Sequence, residues 1–257
     1  MDRPSGNRTD QASAGTDYRL SHQAPGKGRV YDALFRANPH RSMIWRLEQR
    51  ALRRIASDLK RRGAVRHLDF ACGTGRILAC LEDIVDRSTG IDISQEMLAT
   101  ARGQVRTAEL IHGDLTAENL LDGKQFDLIT AFRFFPNAEP ELRSAAMAAV
   151  VRHLAPDGRL VFNNHRHAGG SLYRLGAHTG GLSFTGVPER EMRNMAEAVG
   201  LAIERIYGIG LFPLSERRLQ WLVRFIAPIE AAAAAANTGV LRPWCQDQVY
   251  VCRRAVQ

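Results

Sequence analysis

The chain has 257 residues, 45% of them hydrophobic and 24% charged, which suffices for one sizeable core and argues against a disordered chain. No run of eighteen apolar residues occurs, and the first 28 residues lack an apolar stretch between a basic start and a cleavage site, so neither a membrane span nor a signal peptide is expected and the setting reads as cytoplasmic. The formal charge of +8 is uneven: residues 1–66 carry net +9 and residues 67–257 net −1, so any attraction to phosphate, anionic lipid or an acidic partner belongs to the front of the chain.

Residues 1–28, rich in Gly, Ser, Asp and Pro, read as a mobile tail. Residues 29–64 read as a basic helical segment. Within it Ile44, Leu47, Ala51, Ile55 and Leu59 recur at helical spacing, Arg46, Arg50, Arg53, Arg54, Lys60, Arg61 and Arg62 fill the other side, and Gly63 ends the pattern. From residue 65 strand-like runs ("VRHLDF", "STGIDI", "AELIHG", "FDLITAF", "GRLVFNN", "AIERIYG", "DQVYVCRR") alternate with helical stretches at 75–86, 94–104, 139–154 and 188–199. That alternation predicts an α/β domain over 65–257 with a mostly parallel sheet covered by helices on both faces. Two insertions break the rhythm, the glycine-rich 165–187 and the stretch 209–244 with its apolar helix and six alanines. Cys72, Cys80, Cys245 and Cys252 lie too far apart for a CxxC metal site and read as buried thiols.

The informative turn is "HLDFACGTGRIL". A strand running into Gly73-Thr74-Gly75 and then a helix offers main-chain N–H groups at a helix N-terminus, where glycine lets a polar or anionic ligand approach. A dinucleotide fingerprint needs a small residue three positions beyond the second glycine, and here that position is Leu78; no Gly-Lys-Ser/Thr of a P-loop occurs. Asp92 ends the next strand in "GIDISQEML", placed to accept both hydroxyls of a ribose, and "HGDL" puts Asp114 and Leu115 at the end of the third. Three acids, Asp69, Asp92 and Asp114, thus stand at successive strand ends. Capping and turn chemistry explains each singly but not their shared position.

These motifs resemble those of the class I S-adenosylmethionine-dependent methyltransferases. "LDFACGTGRIL" resembles the family's first motif, "GIDISQEML" its second-strand motif, "GDL" its adenine motif, "FDLITAFRFFPN" its fourth-strand motif and "LAPDGRLVF" its fifth strand, in the family's order over about residues 65–165. The resemblance implies a Rossmann-like seven-stranded mostly parallel sheet with an N-terminal helical segment and substrate-side insertions. It implies S-adenosylmethionine as cofactor, S-adenosylhomocysteine as product, and the turn Ala71, Cys72, Gly73, Thr74, Gly75 against the methionine part with Asp69 beside it. Asp92 would take the ribose hydroxyls, Ile93 and Met97 the adenine face, Asp114 its amine and the Leu115 N–H a ring nitrogen, while Ala131, Phe132 and Arg133 would lie near the sulfonium. Ala71 stands where the family has its first glycine. Tyr31 resembles an aromatic that relatives place over the cofactor.

Methyl transfer to a hydroxyl also needs a proton acceptor, and His165 and His167, after the fifth strand in "FNNHRH", are the candidates, with Asn163, Asn164 and Arg133 to orient or bind the acceptor. The place of the Asn/Asp-Pro-Pro-Tyr/Phe sequence of base-amine methylating relatives reads "AFRFFPN", and the body is neutral, so an O or N atom of a small or medium acceptor is favoured. Phe132, Phe134, Phe135, Phe184, Phe212 and Trp221 either line its pocket or belong to the core. Two other readings stand beside this one: an RNA or protein methyltransferase recruited through the basic segment, and a cofactor-binding scaffold without catalysis.

Overall fold

The computed structural model describes residue 19 and residues 37–174, 186–214, 220–236 and 239–255. The chain forms helix α1 (Pro39–Lys60), then β1 (Arg66–Phe70), α2 (Arg76–Leu81), β2 (Arg87–Asp92), α3 (Gln95–Arg102), β3 (Glu109–His112) and β4 (Phe126–Ala131). There follow α4 (Pro140–Arg152), β5 (Leu154–Asn164), a helical turn at Ser171–Arg174, α5 (Glu189–Glu197), β6 (Leu201–Ile209), α6 (Val223–Ala236) and β7 (Asp247–Arg254). Single 3-10 turns at Gln220–Leu222 and Arg242–Trp244 flank α6.

The seven strands form one sheet in the order β3-β2-β1-β4-β5-β7-β6. β1 to β5 are parallel, and β7 runs antiparallel to both β5 and β6. The expected mostly parallel α/β sheet is therefore present, and the order reverses between β1 and β4, where sheets of this type open a crevice at their carboxyl ends. One apolar layer joins Leu68, Ile129, Phe135, Phe162 and Tyr250 to α4 and α5, and a second joins the apolar stripe of α1 to Leu128, Val161 and Val249.

The predicted helix at 43–59 starts four residues earlier. Asn38 caps it by accepting the Arg41 N–H at 3.0 Å, and Pro39 occupies the first turn, where its missing N–H is of no consequence. The stretch predicted helical over 75–86 stops at Leu81, since Glu82 turns to accept the main-chain N–H groups of Arg106, Thr107 and Ala108. The six alanines lie in α6. The tail over 1–28, apart from Arg19, and Tyr31 and Phe184 fall outside the described residues.

Leu78 explains how this turn departs from a dinucleotide fold. It is fully buried, and a Cβ built on Gly90 of β2 would lie 2.6 Å from its Cδ1 and 2.9 Å from the Cys72 sulfur. The room that a small residue usually leaves on the helix is here left on the neighbouring strand.

Candidate active site

The turn after β1 is held by its own main chain and by Asp92. The Cys72 N–H donates to the Ile91 carbonyl at 3.0 Å and the Gly75 N–H to the Cys72 carbonyl at 3.0 Å. Asp92, 8% exposed, accepts the Gly73 N–H on Oδ2 at 2.8 Å and the Ser94 N–H on Oδ1 at 2.9 Å. Gly73 and Gly75 adopt left-handed φ of 55° and 78°. Among the described residues a Cβ at Gly73 would meet nothing within 4 Å, so these leave open space over it, whereas one at Gly75 would press on Ala101 and Val105 of the α3 region. The first glycine therefore fronts a cradle and the second permits helix packing.

Ala71, where the resemblance expects glycine, also sits at a left-handed φ of 54°. That conformation costs an L-residue about 1–2 kcal/mol. Ala71→Gly is thus expected to leave stability unchanged or raise it by up to about 1 kcal/mol in urea unfolding, against the usual loss for this exchange.

Beneath the turn runs a buried polar chain that the sequence did not disclose. His67 Nδ1 lies 3.3 Å from Ser88 Oγ and its Nε2 2.8 Å from Thr130 Oγ1, and the Thr130 hydroxyl donates to Asp69 Oδ1 at 2.6 Å. The strand register pairs His67 with Ser88 and Asp69 with Thr130, so alternation places all four on one face. Asp69 Oδ2 is buried and has no hydrogen-bond partner. Burial pushes the Asp69 carboxyl up to about 7 and holds His67 down near 3. An orphaned carboxyl oxygen beside an open glycine cradle is what a zwitterionic amino-acid moiety would complete, so the residues present fit the methionine part of S-adenosylmethionine.

On the adenine side, Met97 and Leu115 are buried, Ile93 is half-buried, and the Ile93 carbonyl lies 3.1 Å from His112 Nε2. Asp114 accepts the Thr116 N–H and hydroxyl on Oδ1 at 2.8 and 2.6 Å, and its Oδ2 pairs with Arg19 Nε at 3.1 Å. Arg19 had no sequence signal. Cys72 contributes only main chain, because its thiol is packed against Gly90 and raised by burial.

At the tips of β4 and β5 lies a second cluster. Arg133 has a left-handed φ of 58°, its N–H donates to Asn163 Oδ1 at 2.7 Å, and its carbonyl accepts from Asn137 Nδ2 at 2.5 Å. Its guanidinium donates to Glu48 Oε1 at 3.3 Å. Asn163, fully buried, donates to Glu48 Oε1 at 3.1 Å and to Asp247 Oδ2 at 3.2 Å. Burial and the neighbouring Glu48 charge drive the Asp247 carboxyl well above the carboxylate range, so it carries a proton beside Glu48. Glu48 and Asp247 were missed because nothing local marks a carboxylate that folding will bury; Glu48 on the apolar side of α1 was the available signal. A non-glycine residue in this conformation, fixed at N–H, carbonyl and side chain, marks the strand tip as a built feature.

The two histidines part company. His167 is 4% exposed and lies 2.9 Å through Nδ1 from the Cys245 carbonyl, with Gly169 packed on its ring. His165 keeps Nδ1 buried without a partner, and burial with the Arg133 charge holds it well below the usual imidazole range, hence neutral. Asn164 bonds the Val187 carbonyl at 2.9 Å. Of the candidate pocket aromatics, Phe134 and Phe135 belong to a core file with Phe70, Phe162 and Tyr250, Phe132 and Phe212 are half-buried, and Trp221 is exposed.

A family model described as "Methyltransferase domain" matches residues 68–158, the stretch that carries this turn and all three acid-bearing strand ends. Residues 68–158 are a class I S-adenosylmethionine-dependent methyltransferase domain. The chain is 37% identical over 97 residues to a dTDP-3-amino-3,6-dideoxy-alpha-D-glucopyranose N,N-dimethyltransferase of Streptomyces fradiae, covering 37% of each chain. The chain is 34% identical over 139 residues to the malonyl-[acyl-carrier protein] O-methyltransferase of Enterobacter lignolyticus, covering 53% of each. The matched stretches thus span about half or less of these curated relatives. The methyltransferase fold extends further: magnesium protoporphyrin IX methyltransferase from Synechocystis PCC 6803, solved with bound S-adenosylhomocysteine, superposes with a TM-score of 0.61 at 16% identity, over 93% of this chain and 100% of that one.

Proposed function

We propose that the protein transfers a methyl group from S-adenosylmethionine to an O or N atom of a small or medium-sized acceptor. The observation that carries this is the open, left-handed Gly73 between two buried carboxylates, one with an orphaned oxygen and one at a ribose-binding position. When bound, the cofactor supplies a methyl on a positive sulfur, open to in-line displacement. The chain's part is alignment and exclusion of water. Asp69 Oδ2 receives the ammonium, Asp92 the ribose hydroxyls and Asp114 the adenine edge, with Ala71, Thr74, Ile93, Met97, Leu115, Ala131 and Phe132 shaping the slot.

On the acceptor side His165 is preferred to His167, since its Nδ1 has no partner among the described residues, whereas His167 is committed to the Cys245 carbonyl; the burial and the Arg133 charge that keep the His165 ring neutral also lower its basicity. Arg133 is held by Glu48 and Asn163 to line the acceptor's approach. The matched relatives include both an N- and an O-methyltransferase, so the acceptor atom is left as either. Among the described residues no helix is long and apolar enough to cross a membrane, in keeping with the proposed cytoplasmic setting.

Calorimetric titration with S-adenosylmethionine, S-adenosylhomocysteine and NAD tests the cofactor: binding of the first two alone is expected, and none with folded protein would favour the scaffold reading. Once an acceptor is found, His165→Ala is expected to lower turnover about 100-fold or more at unchanged cofactor affinity. Full activity would remove it as the base.

A further inference from the structure

Apart from Arg224 and Glu230, helix α6 is apolar all round, yet only one side is covered. Val223, Ile226 and Ala227 pack inward beside α1. Trp221, Phe225 and Ile229, four residues apart, form an outward ridge at 63, 56 and 55% exposure, with Pro228 and Ala232 exposed alongside. Leu241, exposed, lies apart from this ridge and lines a small recess with Ala233, Ala234 and the buried Glu230. A ridge of this kind on a folded domain marks a contact surface.

Among the described residues, the exposed charges on α6 and on α1 up to Ser57 have one sign. Between residues 220 and 246 the sole carboxylate is Glu230, 1% exposed and turned inward to accept the Leu211 and Phe212 N–H groups at 2.9 and 2.8 Å. Between residues 39 and 57 the sole carboxylate is Glu48, also buried. Arg46, Arg50 and Arg54, again four residues apart, are exposed on α1 and make no ion pair among the described residues, whereas Arg53 and Lys60 pair with Asp83 and Asp86 on the α2 side. Arg50 and Arg54 lie about 60 to 100° round the helix from Arg53, away from α2. α1 also packs on α6, and its His40 N–H donates to Gln220 Oε1 at 3.1 Å beside Trp221. Arg224 sits over the Phe225 ring at 4.5 Å.

We propose that this face, an apolar ridge on α6 beside an unpaired arginine ridge on α1, docks the protein on an anionic lipid surface. Aromatic and aliphatic side chains enter the headgroup boundary while the arginines meet lipid phosphates. A second copy of the chain would bring two arginine ridges together across a two-fold contact, and a nucleic acid would gain nothing from Ile229, Pro228 or Ala232, which cannot stack on bases. The inference is independent of the methyl-transfer reading.

The test is co-sedimentation of the full chain with phosphatidylcholine vesicles, alone or with about a third phosphatidylglycerol, at low and high salt. Binding to the mixed vesicles is expected, at least about ten-fold weaker on phosphatidylcholine alone and weaker in high salt. Two variants, Trp221→Ser with Phe225→Ser and Ile229→Ser, and Arg46→Glu with Arg50→Glu and Arg54→Glu, should each lose about ten-fold or more while keeping the wild-type melting temperature and cofactor affinity. Binding indifferent to lipid charge or to both variants overturns the proposal. So does a dimer in light scattering that only the α6 variant abolishes, or RNA binding that only the arginine variant abolishes.

Discussion

Asp92→Ala is expected to weaken S-adenosylmethionine binding by about 100-fold or more, because the buried carboxylate proposed to accept both ribose hydroxyls leaves them unpaired when removed. The resemblance gives Asp92 the ribose hydroxyls. The structure gives it a second task, since its two oxygens take the N–H groups of Gly73 and Ser94 and so fix the turn to the start of α3. The same variant should therefore lose about 1–3 kcal/mol in urea unfolding, as one buried and one partly buried donor lose their acceptor. Asp92→Asn, which keeps one acceptor, should fall between in both measurements. Undiminished affinity in the alanine variant would remove Asp92 from the site.

Wild-type stability relative to that of Asp69→Asn is expected to fall as pH rises from about 4 to about 7, by at most about 4 kcal/mol. The sign follows from the Asp69 carboxyl being raised from 3.8 to about 7 by burial. The folded chain retains a proton there that the unfolded chain releases, so the contribution is fully present below the unfolded value and is lost as pH passes through the folded one. His67 acts oppositely. Held near 3 from 6.5, it stays neutral in the fold, and its contribution is lost as pH falls. Comparison with Asp69→Asn isolates the Asp69 part. Cofactor affinity should run the other way, climbing with pH as an ammonium against Oδ2 favours the carboxylate, and should be flat in the variant. Parallel pH profiles for the two proteins would exclude Asp69 from cofactor binding.

The strands, their mostly parallel arrangement and the glycine turn after β1 were legible because each has a local signature: apolar runs of strand length, glycines before a helix, and an acid at each strand tip. The cluster at the tips of β4 and β5 was legible only for Arg133 and Asn163, because its parts come from far apart. Glu48, Arg133, Asn163 and Asp247 meet only after α1 packs on the sheet and β7 lies beside β5, and no local pattern marks a carboxylate that will be buried. Arg19 on Asp114 is likewise a contact across 95 residues. Cys72 is buried, as its reading as a packing thiol expects, whereas His167, singled out by position, is packed inward, since position along the chain does not reveal which way a side chain faces.

The place of β7 also bears on how the protein is made. β6 pairs with β7 and not with β5, so in the order of synthesis β6 leaves the ribosome with no sheet partner and waits for the strand that will separate it from the rest. Asp247, the first residue of that strand, is the last member of the β4–β5 tip cluster to arrive. The nascent chain therefore carries an open sheet edge and an unfinished polar cluster until the end, the state in which a growing chain most needs shielding from others of its kind.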